Sequence, residues 1–254
     1  MRPRASGTTP STMCGRFTQT VDTATLAARF KAVTARATVS GARYNIAPTD
    51  FVPVVVLQGG APALEEFRWG LIPSWAKDLR QRPQPINAKS ETLATSGLFR
   101  RLLPTRRCLV LADSFFEWRQ TAGNKVPLRF TLRGREPFAF AGLFDVWRDP
   151  AKGDAPPLRS CTIVTVGANA LVQPVHDRMP AILSPENEER WLDPERKDPL
   201  ALAELLAPYA PEAMESYEVN RAVSDARNKG PECIEPATPE PEKPAPKNLS
   251  LFPL

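Results

Sequence analysis

Histidine is almost absent from this chain: among its 254 residues there is one, His176. The four cysteines, Cys14, Cys108, Cys161 and Cys233, lie far apart and form no C-x-x-C pair. A Cys/His metal cluster needs several such side chains at short spacings, so metal chemistry of that kind is excluded and no metal site is expected. Scattered thiols of this sort suit free cysteines in a reducing, cytoplasmic setting. No apolar run approaches the roughly 20 residues of a membrane span. The first twelve residues, MRPRASGTTPST, carry two arginines and no acid, but they lack the apolar stretch of a secretory signal. A glycine-rich phosphate loop and internal repeats are also missing, and no cofactor is implied. What remains is an ordinary globular composition, 42% apolar and 24% charged, with a net charge of +5 that permits a polyanionic partner without demanding one. The length suits one large domain or two small ones with a sizeable core.

The stretch Met13-Cys14-Gly15-Arg16-Phe17 stands out. If translation starts at Met13, removal of that methionine leaves Cys14 as the N-terminus. A terminal cysteine is a 1,2-aminothiol, with an amine of pKa about 8 beside a thiol of about 8.5. Such a pair captures an aldehyde: the amine forms an imine, the thiol adds to the imine carbon, and a thiazolidine closes. A mid-chain cysteine cannot do this, because its nitrogen is an amide. Twelve residues precede Met13, so residues 1–12 are expected to be an extension, either from a mis-assigned start or from a leader that is removed. The alternative reading of Cys14 is a small buried hydrophobe.

Local patterns give a mixed chain. Asp22 or Thr23 caps a short helix through Leu26, Ala27 and Phe30. Arg43 to Thr49 is extended or turned and presents Asn45, since Pro48 opposes a helix. Phe51 to Leu57 and Leu64 to Trp69 read as strands joined across Gly59-Gly60 in an antiparallel hairpin. Ile86 to Thr92 leads toward a helix through Leu93 and Leu98-Phe99. Cys108 to Ala112 is an apolar strand, continued by Ser114 to Trp118, in which Phe115 and Glu117 share a face. Glu117 is then either ion-paired or functional. Val126 to Leu132 and Pro137 to Leu143 are expected to form a second hairpin about Gly134, and Arg159 to Val166 a strand with Cys161 buried. Ser184-Pro185-Glu186 opens a helix to about Leu192, another covers Leu200 to Leu206, and Val219 to Val223 closes the sheet. His176 has the default reading of a structural hydrogen-bonder.

Trp69 and Trp75 frame a Gly/Pro loop, and an indole at a loop tip offers a stacking face for nucleobases. Seven cations, Arg80, Arg82, Lys89, Arg100, Arg101, Arg106 and Arg107, fall within 28 residues. Each alone is a solvated charge. Interleaved with tryptophan they resemble a groove for single-stranded nucleic acid.

Eight motifs in order, MCGRF, RYNIAPT, WGLIPSW, INAKSET, ADSFFEW, FAFAGL, VHDRMPAIL and VNRAVSDARNKG, resemble the SOS-response-associated peptidase family, the abasic-site-processing (SRAP) domain proteins. The resemblance covers Met13 to about Pro236. It implies a single α+β domain over 13–235, built on a curved, mainly antiparallel sheet or barrel flanked by short helices. It further implies recognition of abasic sites in single-stranded DNA and a covalent thiazolidine cross-link through Cys14, with catalytic positions Cys14, Asn87, Glu117 and His176. The DNA-contacting positions it implies are Arg16, Asn45, Trp69, Lys89, Ser90, Thr92, Trp118 and Arg178. Lys89 departs from the family's usual arginine; it still neutralises a phosphate but lacks the planar fork. The family name also implies a peptidase activity directed at the residues ahead of Cys14. Two rival readings are a cysteine peptidase acting on other proteins through Cys14, His176 and Asn87, and a non-catalytic single-strand-binding module.

From Pro236 the composition shifts to six prolines in nineteen residues with balanced Glu and Lys, which reads as a disordered tail. Its end, Asn248-Leu249-Ser250-Leu251-Phe252, resembles the bacterial sliding-clamp-binding pentapeptide with Asn in place of Gln, so a sliding clamp is a candidate partner. The expected location is the cytoplasm, on the nucleoid when bound to DNA. No dimerisation surface is evident, and a monomer is expected.

Overall fold

The computed structural model describes residues 14–36, 41–81, 83–121 and 123–238. The extension 1–12, Met13, Arg82 and the clamp-like residues 248–252 lie outside them.

Fourteen strands among the described residues build two sheets. In chain order they are β1 (Phe17–Gln19), β2 (Val33–Arg36), β3 (Arg43–Ile46), β4 (Phe51–Gln58), β5 (Ala61–Trp69), β6 (Asn87–Lys89) and β7 (Arg107–Ala112). There follow β8 (Ser114–Thr121), β9 (Asn124–Leu132), β10 (Phe138–Trp147), β11 (Leu158–Gly167), β12 (Arg178–Pro180), β13 (Ile182–Leu183) and β14 (Met214–Glu218). The first sheet is antiparallel throughout, in the order β14-β9-β8-β1-β3. In the second, β4, β5, β11, β10 and β7 each pair with the next, and β7 returns to β4, so five strands close a ring. The β5–β11 seam is parallel and only two residue pairs long, Arg68 with Ser160 and Trp69 with Cys161. The α+β fold with a curved, mainly antiparallel sheet is as the sequence led us to expect.

Among the described residues three short helices decorate this frame, each started by a side chain that accepts an orphan amide. Asp22 caps α1 (Thr23–Arg29), Ser184 caps α2 (Pro185–Leu192) and Asp198 caps α3 (Pro199–Ala203). Helix α2 buries Trp191, whose indole N–H donates to the carbonyls of Cys108 (3.1 Å) and Gly142 (3.3 Å). Gly142 has to be glycine, since a Cβ there would come within 2.8 Å of Cys108 Sγ. No described helix is long and apolar enough to cross a membrane.

One core joins the two sheets. Phe17 on β1 packs edge-on against Trp69 (5.0 Å between centroids) and Phe140 (5.7 Å), and Phe115 stacks on Phe130 (5.1 Å). The chain crosses between the sheets at Asp113, the single residue between β7 and β8. Its buried carboxylate accepts from Thr18 Oγ1, Thr20 N and Thr20 Oγ1, and lies 3.6 Å from Arg129.

Three expectations are corrected. Strands β9 and β10 do not form a hairpin; the first lies in the antiparallel sheet and the second in the ring. Local pattern marks both as strands but carries no information on which neighbours they choose. The expected helix after Ile86 is a single 3-10 turn, Ser90–Thr92, followed by irregular turns. There Ser96 Oγ accepts the amides of Leu98 and Phe99, competing with helical bonding. Finally, Met214–Glu218 rather than Val219–Val223 forms the last strand; Val219 makes only an isolated bridge to Pro236, and Arg221–Ser224 is a 3-10 turn held by the Asn220 side chain.

Candidate active site at the start of strand β1

Strand β1 lies against β8 with Phe17 opposite Phe115 and Thr18 opposite Ser114, and Phe116 N–H donates to Arg16 O (3.0 Å). Burial of Phe17 in the core therefore fixes the residues just before it over the middle of β8. Cys14 is buried, with φ at +38°, a left-handed conformation that costs a residue other than glycine about 1 kcal/mol or more. Its backbone N–H donates to Glu117 Oε1 at 2.8 Å, linking residues 103 positions apart. Glu117 itself is 4% exposed.

This burial sets the electrostatics. Desolvation pushes the Glu117 carboxyl above its ordinary range, opposed by the hydrogen bonds from Cys14 and by the proximity of His176. The Cys14 thiol is raised well above its ordinary value, first by burial and then by Glu117, with Arg178 opposing. At neutral pH the thiol is protonated and needs a base before it can act as a nucleophile. His176 precedes β12; its Nδ1 accepts the Arg178 backbone N–H at 3.0 Å. Asp177 Oδ1 also lies 3.0 Å from Nδ1, on a carboxylate that is 87% exposed. Asn87 opens β6, in register with Ile163 of β11. The site thus draws on the residue just before β1, on β8 and on the turn before β12.

The positions read as DNA contacts divide sharply. Lys89 and Thr92 are exposed and Ser90 half-buried, on β6 and the turn after it. Trp118 is half-buried, its indole N–H donating to Ser224 Oγ (3.1 Å) and its ring facing the Arg16 guanidinium at 5.8 Å. Trp69 is not a contact surface: it is fully buried, packed on Phe17 and bonded to Ile86 O at 2.9 Å, because it ends a core strand rather than tipping a loop. Trp75 is the exposed member of that pair. Asn45 is also buried, its amide donating to the carbonyls of Val223, Asp225 and Asn228 while its oxygen accepts from Arg16. It clasps the Arg221–Gly230 segment and does not face solvent. Arg178 is held by Glu91, at 2.5 and 2.9 Å. Of the basic cluster, Arg107 is buried and bonded to the carbonyls of Leu103, Trp191 and Asp193, a structural role, whereas Arg80, Arg100, Arg101 and Arg106 are exposed.

An open groove of about 470 Å³ runs beside Glu117, lined by Gly15, Arg16, Trp118, Lys125 and Ser224 among others. Lys125 and Glu91 were not anticipated. A lone exposed lysine carries no distinguishing signal in sequence, and Glu91 stands 87 positions from Arg178.

The SOS response associated peptidase (SRAP) family model matches residues 13–226. The abasic site processing protein YoqW of Bacillus subtilis (strain 168) is 43% identical over 193 residues, covering 76% of this chain and 85% of that protein. The abasic site processing protein YedK of Escherichia coli (strain K12) is 31% identical, covering 76% and 84%. A solved structure of a Bacteroides thetaiotaomicron protein superposes with a TM-score of 0.79 at 26% identity, covering 89% of this chain and 100% of that one. With its motifs, fold and relatives in agreement, the chain belongs to the SRAP family.

Proposed function

We propose that this protein responds to DNA damage by capturing abasic sites in single-stranded DNA, forming a thiazolidine through Cys14 once that residue is the N-terminus. The observation that carries this reading is the 2.8 Å contact between the Cys14 nitrogen and Glu117. The same nitrogen, freed as an amine, would lie beside a buried carboxyl able to exchange its proton. Relatives named abasic site processing proteins support the choice of substrate.

The chemistry balances with the loss of one water. The ring-opened deoxyribose presents an aldehyde. The Cys14 amine adds to its carbon as one N–H proton passes to the oxygen, and the protonated Glu117 donates to the departing hydroxyl, leaving an iminium ion beside a Glu117 carboxylate. The Cys14 sulfur then bonds to the iminium carbon as its proton passes to Glu117, which restores the carboxyl and leaves the ring nitrogen neutral. A carboxyl raised toward neutrality suits both transfers. His176 serves the sugar oxygen during ring opening, and Asn87 orients the aldehyde. Reversal by the same steps would release the protein. Because the Cys14 nitrogen is an amide while residues 1–13 are attached, their removal, by self-cleavage or by an aminopeptidase acting on a chain begun at Met13, has to precede capture.

The test compares a chain starting at Cys14 with the full 254-residue form on single-stranded DNA bearing one abasic site. A heat-stable adduct of DNA plus protein minus one water, lost in Cys14→Ala, is expected from the first. Loss of residues 1–13 in an adduct from the second would establish self-processing. No adduct from either would overturn the proposal. Unimpaired DNA binding would then point to a non-catalytic module, and cleavage of unrelated peptides to a general cysteine peptidase.

A further inference from the structure

Arg178 is a well-placed cation that is already in use. Its guanidinium lies close enough to Cys14 to act on the thiol's charge, and its side chain is only 12% exposed. Nη2 donates to Thr165 O (2.7 Å) on β11, which fixes the group beneath the site. The face turned outward is filled by Glu91, whose two oxygens take Nη1 and Nη2 in a fork. The two partners differ in exposure, for Glu91 is 55% exposed while Arg178 is sheltered. Glu91 also sits in the turn with Ser90 and Thr92, directly after the exposed Lys89. Arg178 keeps a buried Nε donor without a partner, so the carboxylate does not exhaust what the guanidinium can bind.

A carboxylate and a phosphate present nearly the same pair of oxygens to an arginine fork. We propose that Glu91 occupies, in the free protein, the seat on Arg178 that a DNA backbone phosphate takes in the complex. This rests on the reading of the protein as a single-strand binder and adds to it a residue that restrains binding. While the fork is closed, an incoming phosphate meets a negative charge and finds both Nη donors taken. A strand seated well enough to displace Glu91 gains the Arg178 fork. Glu91 then turns into solvent, which its exposure permits.

Removing this hydrogen-bonding side chain from the site must then strengthen binding. The test is fluorescence anisotropy with labelled single-stranded DNA lacking any abasic site, across a salt series, so that no covalent step contributes. Glu91→Gln and Glu91→Ala are expected to bind about five- to tenfold more tightly near 0.1 M salt. The salt dependence of log K should steepen by about 0.7, one further phosphate on a single strand. Removal of any negative charge near DNA raises affinity somewhat, so the same changes are made in Arg178→Gln and Arg178→Lys backgrounds. The gain should vanish in the first and shrink in the second, because lysine lacks the fork. Arg178→Lys also keeps the comparison available if Arg178→Gln proves unfolded by circular dichroism. Unchanged or weaker binding by the Glu91 variants overturns the proposal, as does an equal gain in every background. If the unaltered protein binds no single strand at all, the functional reading falls with it; if it binds and only the gain is missing, the Glu91 inference alone fails.

Discussion

Glu117 occupies a position that is unfavourable for a carboxylate. Buried beside Cys14, it has its folded pKa raised by desolvation above the ordinary value near 4.5. Between those two values the native state holds more protons than the unfolded chain. Stability is therefore greatest below the ordinary value and falls as pH rises toward the folded one. Glu117→Gln keeps the shape and removes the charge, so its melting temperature at pH 7 should equal or exceed that of the unaltered protein, with the difference gone below pH 4. Cross-linking to an abasic site should meanwhile slow about 10²- to 10⁴-fold. A variant that cross-links at full rate would contradict the acid/base role. Glu91 is the opposite case. Arg178 holds its carboxyl down at about 2 against an ordinary 4.5, so its contribution is complete above 4.5 and is lost as pH falls toward 2. With the carboxylate more than half exposed, solvent limits that contribution to about 1 kcal/mol or less. Urea titrations of Glu91→Gln at pH 6 and at pH 2.5 would measure it as a difference that shrinks at the lower pH.

At the scale of elements, two junctions position the site. Asp113 carries the chain from the ring into the antiparallel sheet, and its buried carboxylate gathers Thr18, Thr20 and Arg129 at the crossing. Asp113→Ala leaves Arg129 without its carboxylate partner in a buried place and should cost about 3–5 kcal/mol in denaturant unfolding. The second junction is the clasp at Asn45, which with Arg16 ties Val223, Asp225 and Asn228 beside the groove. Asn45→Ala should speed amide hydrogen exchange in Arg221–Gly230 and weaken DNA binding while exchange in β7 and β10 stays slow. Equal acceleration everywhere would mean a global loss of stability instead. Many elements were legible beforehand. The apolar runs of β4, β5, β7 and β11 and the Ser184-Pro185 start of α2 are local features, and the structure places them within three residues of expectation. The partner of β9 was not legible, since a strand's sequence records its period and burial but not its neighbour. Nor was the role of Asn45, whose partners lie about 180 positions away.

Across the whole molecule, both sheets contribute to one hydrophobic cluster, from Phe17 and Phe130 in the first to Val54, Phe140 and Ile163 in the ring. The two satellite clusters, one around Phe116, Val219, Val223 and Cys233 and one around Ile72, Ala76 and Trp147, are small beside it, so unfolding should be a single transition, with far-ultraviolet and tryptophan signals coinciding in urea. Separate midpoints would show that the ring survives loss of the other sheet. The sequence by itself determined the longer strands, the caps of α1 and α2, and the ordered motifs that carry the family resemblance. These depend on side-chain period, backbone preference and counting, which act over a few residues. Only the tertiary structure decided which side chains meet: Cys14 with Glu117, Arg178 with Glu91, Trp69 inside the core and Trp75 outside. Those meetings follow from closure of the ring and from the register of β1 on β8, and both are fixed by packing between segments too distant in the chain for any local preference to set.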